Sequence, residues 1–407
     1  MKHFWKTRWI VLVVVLGALT GCQQQSVQEA KIAANKQWLH TRAQMQYGVA
    51  LEYLKTGQLD KAKAKAAEAL TLDDNCIEAR VLLGKVYIEL GRYGQARGEL
   101  ATVCAQAPQS AEAVYLLGVA QEREGRLSDA LESYRKAYEI DGTNVSAVLA
   151  AAEVLVALGQ LGDAETLIES YKDLAPEDPG VCEIAGRLAM LRKDYTKAVQ
   201  QYTLACDQDS RNVFYQDALA TALFMAGKYK DSVELLKKIV ETKDHKATAG
   251  QYGMLGNCYV ALNRSREARD AFAVQTQLAP NDPVPFVNLA KAALQLGDYP
   301  RSIMSAQEAI DMDAGNFDAT CVMGYALICD GQSARAVGLL TAESQSHPDN
   351  ATLQCLLGRA HAAAGDETKA IKCYKTALEL EPASVLAKEL LAASAPRKAL
   401  VKIDPVE

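Results

Sequence analysis

Aromatic residues are scarce, at 6 % of the 407 residues, and only 3 of them are Trp and 6 Phe. So few rings leave little with which to pack a β-sandwich, whereas the abundant alanine suits closely packed helices. Histidine is scarcer still, at 5. No HExxH, GxSxG, GxxxxGK[ST] or GxGxxG occurs, which excludes the metalloprotease, hydrolase, phosphate-loop and dinucleotide chemistries those spacings carry. No two cysteines stand in CxxC spacing, so neither a zinc site nor a thioredoxin-like site is expected. Positive charge is not in excess either: 44 Lys and Arg stand against 50 Asp and Glu, a net charge of −6. That balance excludes a phosphate-tracking surface and, with it, a nucleic-acid partner. What remains, 49 % hydrophobic and 23 % charged, is the composition of a globular protein and not of a disordered one.

The one long apolar run lies at the start. Lys2, Lys6 and Arg8 precede Ile10 to Leu19, and that run is too short for the roughly 20 residues a membrane span needs. Residues 1–21 are therefore expected to be a signal peptide. Leu19-Thr20-Gly21-Cys22 resembles a bacterial lipobox, in which small residues admit the peptidase and the thiol receives diacylglycerol. The resemblance implies that Cys22 is lipidated (palmitate among its acyl chains) and that residues 22–42 form a tether. Gln23 after the cysteine resembles the outer-membrane sorting pattern, so the expected address is the cell envelope, on the periplasmic face of the outer membrane.

Beyond the tether the sequence repeats. Gly57, Gly91, Gly125 and Gly159 recur every 34 residues, and so do Ala62, Ala96, Ala130, Ala164 and Ala198. After a two-residue slip near Lys246 the register resumes with Gly297, Gly331 and Gly365. A third column is small throughout: Ala50, Gly84, Gly118, Ala152, Gly186, Ala220, Gly256, Ala290, Gly324 and Gly358. Apolar residues at helical spacing lead into each turn glycine, as in Leu82, Leu83, Val86, Tyr87 and Leu90 before Gly91. Glycine there accommodates the left-handed conformation that ends a helix. Each unit reads as a helical hairpin that cannot bury its apolar faces alone, so neighbours must stack.

A 34-residue helix–turn–helix unit with these columns resembles the tetratricopeptide repeat family. Ten units are expected over 43–384, followed by a capping helix over 385–396 and a tail over 397–407. The fold class implied is all-α, a right-handed superhelical solenoid of about ten repeats with a C-terminal capping helix. Lys193 and Asn263 stand where the turn glycine is expected, and Ser232 and Ser302 where alanine is. The opening YGVALEYLKTGQLDKAKAKAAEAL is similar to the pilotin lipoproteins of type IV pilus secretins.

In this family the first helices of successive units line a concave groove that holds peptides. Carried onto this sequence, the groove-facing columns give Tyr115, Val119 and Arg123, then Glu183, Arg187 and Met190, then Phe214, Asp217, Thr221 and Phe224, and finally Asn257. Packing of Met190 and Phe224 between neighbouring first helices is the alternative for those two. Lys85, Lys291 and Arg359 are scattered among unrelated units, which argues against a clamp for a C-terminal carboxylate. His361 falls in a column filled elsewhere by Tyr53, Tyr87 and Tyr259 and reads as a core histidine. Nine cysteines remain after Cys22. Cys182 and Cys206 lie equally far from Asp194, in the turn of their hairpin, and are the pair placed to form a disulfide; small apolar fillers are the alternative. Cys321, Tyr325 and Cys329 share a helical face with Cys355 one unit on, and read as residues lining a surface.

The resemblances together imply a lipid-anchored, non-enzymatic scaffold without cofactor, metal or small-molecule substrate. It would bind protein partners through its groove and the membrane through its lipid, and assist assembly of a secretion or type IV pilus machinery. Exopolysaccharide export and the scaffolding of peptidoglycan enzymes are the alternatives.

Overall fold

The computed structural model describes residues 3–172, 178–242 and 245–394, with side chains from Gln28 onward except Glu29. The Cys22 side chain, those of the signal segment and the tail over 397–407 lie outside it. Among the described residues every regular element is a helix. Two compact units divide the chain, Met1–Leu191 and Arg192–Glu407.

The first unit holds α1 (His3–Lys55), α2 (Leu59–Leu72), α3 (Ile77–Glu89), α4 (Tyr93–Gln106), α5 (Ala111–Arg123), α6 (Leu127–Ile140), α7 (Val145–Ala157), α8 (Leu161–Lys172) and α9 (Pro179–Leu191). Successive helices pack as antiparallel pairs, and first helices also touch across units, α1 on α3, α3 on α5 and α7 on α9. The tether expected over 22–42 lies within α1, which is continuous into the first repeat.

The second unit holds α10 (Tyr195–Gln208), α11 (Val213–Met225), α12 (Tyr229–Glu241), α13 (Ala249–Ala261), α14 (Ser265–Leu278), α15 (Pro283–Gln295), α16 (Tyr299–Met312), α17 (Phe317–Cys329), α18 (Ser333–Ser346), α19 (Ala351–Ala363), α20 (Glu367–Leu380) and α21 (Val385–Ala393). Here α11 touches α13, α15 touches α17, and α17 touches α19. At the end, α21 packs on α20 and α19.

Local chemistry sets where these helices start and stop. Gly91 sits at φ +69°, and the amide of Arg92 closes the turn by donating to the Tyr87 carbonyl at 2.8 Å, the six-to-one bond of a left-handed helix stop. The same bond recurs from Arg126 to Gln121, Lys228 to Leu223 and Asp366 to His361. Lys193 (φ 62°) and Asn263 (φ 57°) adopt the glycine conformation with a side chain attached. Asparagine tolerates that region better than lysine. Several first helices start at a capping side chain: Ser110, Asn144, Asn212, Asn316, Asn350 and Ser384 each accept a backbone N–H from the first turn. Such caps each contribute about 1 kcal/mol.

The small column has a more specific cause than close helix approach. A Cβ on Gly118 would lie 2.7 Å from the Tyr134 ring, on Gly256 2.4 Å from Phe272, and on Gly358 2.4 Å from Tyr374. On Gly84 and Gly324 it would meet Leu100 at 2.7 Å and Leu340 at 2.6 Å. Glycine thus makes a slot in the first helix that a bulky side chain of the second helix fills. Tyr134, Tyr374, Leu100 and Leu340 are accordingly among the largest fully buried side chains. At Ala220 and Ala290 of the same column, Ser232 and Ser302 on the second helix donate to the alanine carbonyls, each at 2.9 Å. The two serines that depart from the alanine column are therefore buried and satisfied.

Candidate binding surface

In the first unit, the face presented by the first helices opens into a cavity of about 270 Å³. Tyr47 and Leu51 come from α1, Val81 and Leu82 from α3, and the rim is Glu78, Lys85 and Glu112. Regular helix spacing creates it, because these residues recur at i, i+4 and i+7 on adjacent helices. Lys85 makes an ion pair with Glu112, while Glu78 accepts the Gln44 amide at 3.3 Å and the Cys76 thiol at 3.8 Å. Sequence reasoning missed this cavity. It weighted the rare phenylalanines and methionines, whereas the cavity is built from Tyr47 and common aliphatic residues of the first repeats.

Further along the same unit, Tyr115 and Val119 on α5 are half-buried and packed against the core. The Tyr115 ring lies 5.6 Å from Tyr134, whose hydroxyl donates to Glu122 at 2.6 Å. Burial, then the Glu122 and Glu153 carboxylates, push the Tyr115 hydroxyl up. On α9, Glu183 is 8 % exposed. Burial holds its carboxyl above the usual range despite Arg187, and Glu153 adds to the effect. The Arg187 guanidinium reaches Glu153 at 3.5 Å and Glu183 at 3.8 Å. Its Nε is buried without an acceptor. This face therefore carries Glu78, Glu112, Glu122, Glu153 and Glu183 against Lys85, Arg123 and Arg187, an excess of carboxylate over an apolar floor.

The second unit differs. Phe214 on α11 is 61 % exposed, with its ring 5.9 Å from Tyr215, and Asn257 on α13 is exposed as well. Phe224 is instead half-buried, edge-on to Tyr229 at 5.4 Å and packed against the core of α12–α14. Asp217 is tied down: the Gln251 amide donates to both its oxygens, at 2.9 and 3.0 Å. The Gln251 oxygen in turn accepts the Thr248 N–H at 2.9 Å and lies 3.0 Å from His245 Nε2. Burial raises the Asp217 carboxyl, and the Gln251 bonds and His245 oppose that rise. This network braces the junction where the register slips. Lys291 pairs with Asp318 at 2.6 Å, and the Arg359 guanidinium stacks on Tyr325 at 4.5 Å. The scattered cations are thus engaged with neighbouring repeats.

The remaining sequence candidates fall as follows. Cys182 is buried in α9, in the first unit, and Cys206 is half-buried in α10, in the second; burial, then Asp207 and Asp209, push the Cys206 thiol up to about 11. Burial likewise takes Cys321 up to about 11, so neither thiol has the character of a reactive nucleophile at neutral pH. His361 is half-buried and its imidazole is held below the usual range by that burial. Among the described residues no group of His, Cys, Asp and Glu is placed to hold a metal ion, and no helix is long and apolar enough to cross a membrane.

Comparison with known proteins bears on the repeats. Models described as tetratricopeptide repeats match residues 47–109 and 81–145, 123–181, and 351–384. The chain is 27 % identical over 228 residues to mouse "Superkiller complex protein 3", covering 54 % of this chain and 14 % of that protein. It is 25 % identical over 257 residues to a "TPR repeat-containing protein" of Treponema pallidum, covering 56 % and 29 %. The matched regions span less than a third of those relatives' own lengths. Among solved structures, a tetratricopeptide repeat protein from Parabacteroides merdae aligns with a TM-score of 0.46 at 14 % identity, over 62 % of this chain and 98 % of that one. The described residues form an all-helical array of hairpins, and within it the stretches 47–181 and 351–384 match tetratricopeptide repeats.

Proposed function

We propose that this chain is a lipid-anchored, non-enzymatic scaffold of a bacterial cell envelope that helps assemble a secretion or type IV pilus machinery by holding segments of its partners along the first-helix face. The observation that carries the binding half is the 270 Å³ cavity with its apolar floor of Tyr47, Leu51, Val81 and Leu82. A pocket of that size on a rigid pair of helices suits one or two apolar anchors of a bound segment. The address rests on the lipobox-like Leu19-Thr20-Gly21-Cys22. Acyl chains contribute about 0.8 kcal/mol per buried CH₂, so several on one residue anchor stably.

Two experiments test the halves separately. For the anchor, labelled palmitate and membrane fractionation are compared between the wild type and Cys22→Ser; label and membrane association that persist in the variant would remove it. For binding, a tagged chain is used to capture partners from solubilised membranes beside a Leu51→Arg, Phe214→Ala variant, with identification by mass spectrometry. Secretin or pilus components lost from the variant are the expected result. Capsule-export or cell-wall enzymes in their place would transfer the reading to those pathways, and equal capture by both proteins would move the site off this face.

A further inference from the structure

We infer that the first-helix face of the first unit is selective for basic segments, binding an apolar side chain in its cavity with lysine or arginine on either flank. The inference rests on the groove reading above and specifies its ligand. Its basis is the chemistry around the apolar floor. Lys85 is neutralised by Glu112, and among the described residues Glu78 on the same rim makes no ion pair. Beyond it, on α5 and α7, Glu122 and Glu153 both act on Tyr115, and Arg187, which reaches Glu153, is shared with Glu183. Carboxylates left short of counter-charge beside an apolar pocket attract a cation on the ligand, and exclude an anionic one by the same repulsion.

The second unit supplies the internal contrast. There the corresponding positions carry Asp217 and Asp318 against Lys291 and Arg359, and each of the four is engaged by a neighbouring side chain. Charge selectivity therefore belongs to the first unit and should follow its carboxylates. Glu78 and Glu153 are exposed, so converting them to glutamine changes charge without touching the core.

The test is fluorescence anisotropy on the full chain with three labelled synthetic peptides. Each has the same spaced leucines, separated by lysine, by glutamate or by glutamine. The lysine peptide should bind about tenfold or more tightly than the glutamate peptide at ~0.05 M salt, with the gap closing at ~0.3 M as screening shortens the range of the charges. Glu78→Gln, Glu153→Gln should erase most of that gap. Leu51→Arg should weaken all three, and circular dichroism confirms that this variant keeps its helices. Equal affinity for all three peptides, each weakened by Leu51→Arg, would overturn charge selectivity and leave the groove reading standing. Binding indifferent to Leu51→Arg would overturn the groove reading itself. No binding of the lysine peptide, or preference for the glutamate one, would sink the inference outright.

Discussion

The first helices of the two units share one backbone and present different chemistry. In the first unit they hold Glu78, Lys85 and Glu112 at an apolar cavity and, further along on α7 and α9, Glu153 and Glu183 sharing Arg187. In the second they hold Phe214, Asn257 and Val284 to solvent, and bind their charges to each other or to buried amides. What the units have in common is all in the slots, turns and caps; what separates them is a few outward positions. Fold and specificity are therefore written in different columns of the same repeat, and a change in one column should leave the other intact.

The largest effect should come from closing a slot, and it should be alike in both units. Gly118→Ala and Gly358→Ala each place a methyl within 2.7 Å of a buried tyrosine ring, and each should cost about 1–3 kcal/mol by urea unfolding. A change below half a kcal/mol in either would show that the tyrosine has room to shift. Next, Gln251→Leu should cost about 1–3 kcal/mol, because it strips the buried donor from Asp217. This effect belongs to the second unit only. Faster hydrogen exchange across 245–255 than in the wild type would locate it, and unchanged exchange there would show that the network does not brace the junction.

A smaller gain is expected from relaxing the two strained turns. Lys193→Gly should stabilise by about 1 kcal/mol and Asn263→Gly by a few tenths, read as shifts of the urea midpoint. Equal gains at both would contradict the ranking by side-chain tolerance of positive φ. The subtlest signal is in pH. Glu183 has its carboxyl raised by burial, so the folded state holds its proton more tightly than the unfolded one. Stability from this group is highest in acid and falls as pH rises from the ordinary glutamate value to the raised one. Glu183→Gln should flatten that part of the profile, whereas Glu153→Gln, on an exposed residue, should leave most of its slope.

Much of this was legible in the sequence, and the exceptions share a cause. The hairpins follow from the 34-residue columns, and the turn glycines from their place after each apolar run. The small column was visible too, but its purpose was not, because the reason for Gly118 or Gly358 lies in Tyr134 or Tyr374 on the other helix. Reading columns one at a time hides a correlation between them. The site suffered similarly. Phe214 and Asn257 are exposed at their groove columns, yet Phe224 in a groove column turns inward onto Tyr229. Asp217 was legible as a position but not as the acceptor of Gln251, since that bond depends on the irregular junction. The cavity over Tyr47, Leu51, Val81 and Leu82 escaped because its residues are individually ordinary and only their adjacency makes a pocket.

The pairing of slot and filler has an evolutionary consequence. Gly84 with Leu100, Gly118 with Tyr134 and Gly358 with Tyr374 each fall inside one hairpin, so slot and filler are inherited together. Duplication or loss of a hairpin, with its ends in the inter-repeat loops, carries both halves and leaves no slot vacant. The array can thus change its copy number without first mutating its core, and the outward positions of a new copy are free to drift toward a new ligand.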